Sequence, residues 1–200
     1  MARPKSDIDV RILHAARARF LAEGVDGASL RAIAKDAGTS IGMVYYYFPT
    51  KDDLFLAVVE EVYERLLAEL VVALDPEKPV RERIACLYAR IARLDEEERL
   101  VLRLVVREAL VSSSRLESIL ARFQRGHLPL VFRMIADGIA DGTFDTRRHP
   151  LVLAGALLGV GGVPHVLRRI LGDRLGLRGS KDLVEQLVEV LFEGIGGQRQ

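Results

Sequence analysis

Ile8, Ile12, Ala16 and Phe20 stand four apart, and the same spacing of apolar residues returns along almost the whole chain. Four is close to the 3.6-residue turn of an α-helix, so each stretch presents one apolar stripe. No stretch alternates apolar and polar residues as a half-buried strand does. A chain patterned in this way buries its apolar surface by packing helix on helix. Glycines, prolines and short polar runs punctuate the pattern. Gly24 and Gly38 stop the first two segments, Pro49 closes the third, and "DPEKP" breaks the chain at 75–79.

The spacing predicts a first helix ending at Gly24, then "SLRAIAKDAG", "SIGMVYYYF" and a long helix from Thr50. Further helices follow at roughly 80–94, 96–112, 114–141, 149–171 and 180–195. Ser29, Ser40 and Thr50 are the N-cap candidates, and Asp52 and Asp53 suit the positive end of the long helix. The expectation is an all-α chain of about nine helices. Residues 1–50 form a three-helix head, and residues 51–200 form a helical body.

Of the 200 residues, half are hydrophobic, so a packed core is within reach. The formal net charge is only +1, which announces no nucleic-acid partner. Its distribution says more, because Met1 to Lys51 carries eight basic residues against five acidic ones. The lone Cys86 has no partner for a disulfide or a metal and reads as a small core residue in a reducing compartment. "MARPKSDID" lacks the apolar core of a signal peptide. "PLVLAGALLGVGGVPHVL" is interrupted by Pro164 and His165, so it reads as a buried helix rather than a membrane span. A cytoplasmic protein without membrane, metal or cofactor is expected.

Two short helices joined by the tight turn "DAGTS", after a longer helix, describe a helix-turn-helix. Gly38 can take the positive φ that the reversal requires, and Ser40 caps the second helix, whose N-terminal half would enter a DNA major groove. Val44 and Phe48, four apart, would anchor that helix. Gly42, Met43, Tyr46 and Tyr47 lie on the opposite face. Tyrosine packs its ring along sugar and offers its hydroxyl to phosphate. The run Tyr45–Tyr47 spans too wide an arc to be all core, so at least two of its members should face outward.

Residues 8–54 resemble the N-terminal domain of the tetracycline-repressor (TetR) family of bacterial transcription regulators. The resemblance lies in "F-x-x-x-G", "S-x-x-x-I-A-x-x-A-G" and "S-x-G-x-V-Y-x-Y-F-x-x-K-x-x-L", all at family spacing. It implies that Ser29, Tyr45, Tyr47 and Lys51 hold phosphates, while Arg31, Gly42, Met43 and Tyr46 face base edges or sugars. With the cap Ser40 and with Ile41, these form the expected DNA-binding set. Ile41 departs from the polar or basic residue common there. It either touches a thymine methyl or packs inward. Arg3 and Lys5 form a loose arm on DNA or a solvated tail.

The family likeness fades after about residue 60. It implies a homodimer on a pseudo-palindromic double-stranded operator, released by a small molecule bound in the body. Gly155, Gly159 and Gly162, with Leu183, Leu187, Val190, Leu191 and Ile195, mark residues 150–195 as the expected dimer surface. The abundance of Leu, Val, Ile and Ala from 60 to 165 favours an apolar or amphipathic effector. Candidate polar groups of its pocket are Cys86, Tyr88, Arg103, Arg107, Glu108, Gln124, His127 and His165. His14 and His149 read as surface residues.

Two rival readings stand beside the regulator. One is a helical dimer whose head binds protein. The other is an enzyme, which the sequence disfavours because it has no nucleophile elbow, Walker motif or dinucleotide fingerprint. The run "DEEE" at 95–98 reads as a solvated helix start rather than catalytic carboxylates.

Overall fold

The computed structural model describes residues 7–171 and 180–193, with side chains at 7–164 and 183–193. Among the described residues all regular structure is helical, in ten helices. They are α1 Asp7–Gly27, α2 Leu30–Asp36, α3 Ile41–Tyr47, α4 Lys51–Ala73, α5 Val80–Ala92, α6 Glu96–Val111, α7 Ser113–Gln124, α8 His127–Ala140, α9 Pro150–Leu171 and α10 Ser180–Glu193. The stretch expected as one helix at 114–141 is two. The chain breaks at Gly126, whose φ of −117° and ψ of −114° are far from helical. No helix among the described residues is long and apolar enough to cross a membrane.

The chain forms two compact units. The first runs to Leu66 and takes in Asp95–Phe123. In it α1 packs on α2, α3 and α6, and α2 packs on α3. Ile12, Ala16, Phe20, Val25, Ile33, Val44, Leu54 and Phe55 are fully buried. The Phe20 and Phe55 rings meet edge to face, with centroids 6.4 Å apart. The second unit is Leu67–Leu94 with the chain from Gln124 onward. There α5 packs on α8, α9 and α10, and α9 packs on α8 and α10.

Local chemistry sets the helix ends. Gly24 has φ 81° and ψ 165°, which breaks α1 one turn before its last residue. Gly38, at φ 63°, turns the chain between α2 and α3. Thr50 Oγ1 accepts from the Asp53 N–H at 3.0 Å while Asp53 Oδ2 accepts from the Thr50 N–H at 3.0 Å, a reciprocal cap on α4. Asp95 and Glu98 cap α6 in the same way. The acidic run at 95–98 is therefore not merely solvated. Glu98 is buried, and Glu97 pairs with Arg17 and Arg65.

Cys86 is half-buried rather than core. Leu183 and Leu187 of α10, expected on the dimer surface, are buried within the chain, as are Val184 and Val188. Val190 is exposed and Leu191 half-buried. Arg3, Lys5 and Ile195 lie outside the described residues, as does the side chain of His165.

Candidate nucleic-acid interface

The turn after α2 delivers the chain to Ser40, which sits extended at φ −87° and ψ 154°. Its hydroxyl accepts from the Met43 N–H at 3.3 Å and so begins α3. Ser29 occupies the equivalent place before α2, but its side chain makes no cap hydrogen bond.

Along α3 the faces separate at about 100° per residue. Val44 points into the first unit and is fully buried. Gly42, Tyr45 and Tyr46 are exposed, the two rings by 51% and 58%. Ile41, Met43 and Tyr47 are half-buried. Two of the three tyrosines thus face outward. The Tyr46 and Tyr47 rings meet edge to face at 5.2 Å, and Tyr47 leans on Phe48 at 6.3 Å.

Phe48 departs from its expected place. It lies after the helix, extended at φ −133° and ψ 94°, and is half-buried rather than core. The cause is Pro49, whose ring disfavours helical geometry in the residue before it. The anchoring of α3 therefore falls to Val44.

Arg31 and Ser29 are exposed near the start of α2, and Lys51 is half-buried at the start of α4. The Lys51 ammonium donates to the Asp26 carbonyl at 3.0 Å, which ties the first residue of α4 to the α1–α2 corner. Among the described residues, a Cβ on Gly42 would meet only Ser40 Oγ, at an ordinary 3.7 Å. Glycine costs about 1 kcal/mol in a helix interior relative to alanine. Packing among the described residues gives no reason for it at this position.

The residues expected to line an effector pocket divide between the two units. Arg103, Arg107 and Glu108 belong to the first; Cys86, Tyr88, Gln124, His127 and His165 belong to the second. Arg107 donates to the carbonyls of Phe20 and Leu21, and Glu108 is ion-paired to Arg115. Arg103 and Gln124 are exposed, and His127 is half-buried. Tyr88 is fully buried and donates its hydroxyl to the Leu157 carbonyl at 3.0 Å. Burial pushes its phenol above the usual tyrosine range. A cleft of about 80 Å³ is lined by Leu21, Leu100, Arg103, Leu104 and Arg107. That is far below the several hundred Å³ of a typical ligand pocket. Among the described residues no group of three His, Cys, Asp or Glu side chains is placed to hold a metal.

Arg115 was not among the sequence candidates. It is buried, and it pairs with Asp26, Asp52 and Glu108. Its only sequence signal was an arginine on the apolar stripe of an amphipathic helix, four before Ile119.

Residues 12–58 match the sequence profile of bacterial regulatory proteins of the tetR family. The HTH-type transcriptional repressor NicS of Pseudomonas putida is 36% identical over 89 residues, which cover 42% of this chain and 42% of NicS. The chain thus spans under half the length of that relative. Two solved structures share the fold at 19% identity. FadR from Bacillus subtilis, in complex with stearoyl-CoA, superposes with a TM-score of 0.73 over 94% of this chain and 99% of its own. The fatty acid degradation regulator FadR from Bacillus halodurans does so with a TM-score of 0.72 over 96% and 98%. The match over residues 12–58 identifies the head as a helix-turn-helix of the tetR type of bacterial regulatory proteins, and the described residues share the fold of these solved structures.

Proposed function

We propose that the chain is a repressor that binds a pseudo-palindromic DNA operator as a homodimer and is released by a small amphipathic effector. The observation that carries this reading is the outward face of α3, where Gly42, Tyr45 and Tyr46 are exposed on a helix fixed by Ser40 and Val44. In this reading Ser29, Tyr45, Tyr47 and Lys51 hold phosphates. Arg31, Met43 and Tyr46 read base edges or sugars, and Gly42 admits the DNA backbone close to the helix. Half-buried Ile41 keeps part of its side chain open to a thymine methyl. Residues 1–50 do the reading and residues 51–200 the sensing and pairing.

Two recognition helices reach successive major grooves only if they are held about 34–36 Å apart, which is what a dimer supplies. The pairing surface proposed here is the open face of α9. Leu151, Val152, Leu158 and Val163 are exposed on it. Between them, a Cβ on Gly155, Gly159 or Gly162 would meet no described atom within 4 Å. An apolar face with small residues at this spacing suits close packing against the same helix of a second copy.

The proposed effector has an apolar chain and a polar head, and an acyl-CoA is the class to try first. The support is the fold shared with a regulator that holds stearoyl-CoA, together with the apolar composition of the body. Binding a ligand that favours one separation of the heads lowers operator affinity by linkage.

The test is titration against duplexes from the protein's own upstream region, with and without stearoyl-CoA. A regulator prefers one duplex over random sequence, with affinity falling steeply as salt rises. Lys51→Ala should weaken all duplexes alike and make the salt slope shallower by about one, while Met43 or Tyr46 substitutions change sequence preference. Equal affinity for random duplex would overturn the DNA reading and leave the protein-binding dimer.

A further inference from the structure

Carboxylates from three separate segments converge on one guanidinium. Arg115, near the start of α7, has a side chain only 8% exposed. Its Nη1 donates to Glu108 Oε2 of α6 at 2.8 Å, and its Nε donates to Asp52 Oδ1 of α4 at 2.9 Å. Both of its terminal nitrogens donate to the carboxylate of Asp26, which lies past the Gly24 break, one residue before the end of α1. Glu108, 4% exposed, also accepts from the Val25 N–H at 3.3 Å. Its neighbour Arg107 grips the end of α1 through the Phe20 and Leu21 carbonyls.

The corner between α6 and α7 therefore holds two points, the end of α1 in the head and the first turn of α4 that follows the head. Both points border Lys51. That lysine precedes Asp52 in the chain, and its ammonium donates to the Asp26 carbonyl. A planar guanidinium offers five N–H donors in fixed directions, so a fork shared among three carboxylates sets angles as well as distances. A lysine at the same place would be a point charge and would set neither.

We propose that Arg115 is a positioning residue for operator binding: it sets the pose of the recognition helices from the α6–α7 corner without touching DNA. This rests on the DNA-binding reading above. A displacement of α6–α7 is imposed on the head through Asp26 and Asp52. Loss of the fork leaves three carboxylates facing one another beside the phosphate-holding lysine, and like charges at that range repel.

The experiment measures affinity for the duplex preferred by the parent protein, across a salt series, alongside melting temperature. Arg115→Gln should bind about tenfold more weakly, within the range of couplings between separate sites, and with an unchanged salt slope. Asp52→Asn combined with Arg115→Gln restores the parent net charge and should stay as weak as the single variant. Arg115→Lys keeps the charge and loses the fork, so it too should bind more weakly; it carries the test if Arg115→Gln does not fold. Affinity within twofold of the parent for folded Arg115 variants would overturn the proposal, as would recovery in the charge-neutral double variant. A salt slope shallower by about one would make Arg115 a phosphate contact and overturn it as well. A parent protein with no duplex preference would instead sink the DNA reading and this inference with it.

Discussion

The ring of Tyr88 on α5 fills the space that a Cβ on Gly161 of α9 would occupy. Tyr88 is fully buried, and its hydroxyl is tied to the Leu157 carbonyl one turn earlier on the same helix. The ring therefore cannot move aside without giving up that bond. Gly161→Ala should destabilise the protein by the cost of overpacking, about 1–3 kcal/mol. For a chain of this size the melting temperature then falls by roughly 2–4 °C per kcal/mol. A thermal melt by circular dichroism checks this. A variant that melts with the parent would show that α5 and α9 can separate freely at this point.

The other glycines of α9 behave differently, because Gly155, Gly159 and Gly162 face open space among the described residues. Leu158, 65% exposed, lies among them. Leu158→Glu should leave the melting of the isolated fold nearly unchanged, since surface substitutions shift stability by only about ±0.5 kcal/mol. It should halve the mass in solution by placing a charge, and its symmetric copy, in the proposed pairing surface. Light scattering after size exclusion reads the mass. A dimer that survives this variant would move the pairing surface away from α9.

The Arg115 hydrogen bond holds the Asp26 carboxyl below the usual carboxylate range. A depressed carboxylate adds stability that is fully present above its unfolded value, near pH 3.9, and is lost as pH falls through the lower folded value. The melting-temperature difference between the protein and Asp26→Asn should therefore be constant above about pH 5 and shrink below pH 4. Asp36, held down by Arg19, and Asp145, held at about 2 by Arg147, titrate in the same acid window. Both are common to the two proteins, so the difference isolates Asp26. A difference that grows on acidification would reverse the sign of the argument.

Much of this architecture was legible in residue spacing. The helix-turn-helix could be read because each of its parts is local: Gly38 for the turn, Ser40 for the cap, Val44 for the inward face. Phe48 leaves the stripe that a count of four assigns to it, because Pro49 ends the helix one residue earlier than the apolar pattern does. The break at Gly126 is marked in the sequence only by the short polar run at 124–127 and by Pro129, which the apolar spacing on either side bridges. Leu183 and Leu187 could be seen to be apolar, but not to be covered by the chain itself. Spacing within one helix does not say which neighbour a stripe meets. Arg115 shows only as an arginine on an apolar stripe for the same reason, since Asp52 and Asp26, two of its three carboxylate partners, lie 63 and 89 residues away. Long-range ion pairs leave no period in a sequence.

Gly42 separates folding from function within one residue. No described residue crowds a Cβ there, and glycine is the poorest non-proline helix former. Gly42→Ala should therefore raise stability, by at most about 1 kcal/mol because the residue sits in the first turn of α3. The same methyl group would stand on the exposed face proposed to approach the DNA backbone. Operator affinity should fall by roughly tenfold or more, the equivalent of about 1.4 kcal/mol. Melting and titration on the same sample check both halves. If Gly42→Ala were more stable and bound the operator as well as the parent, the close approach at this helix turn would be wrong. If it were less stable, the chain would need this glycine for a reason that its packing does not show.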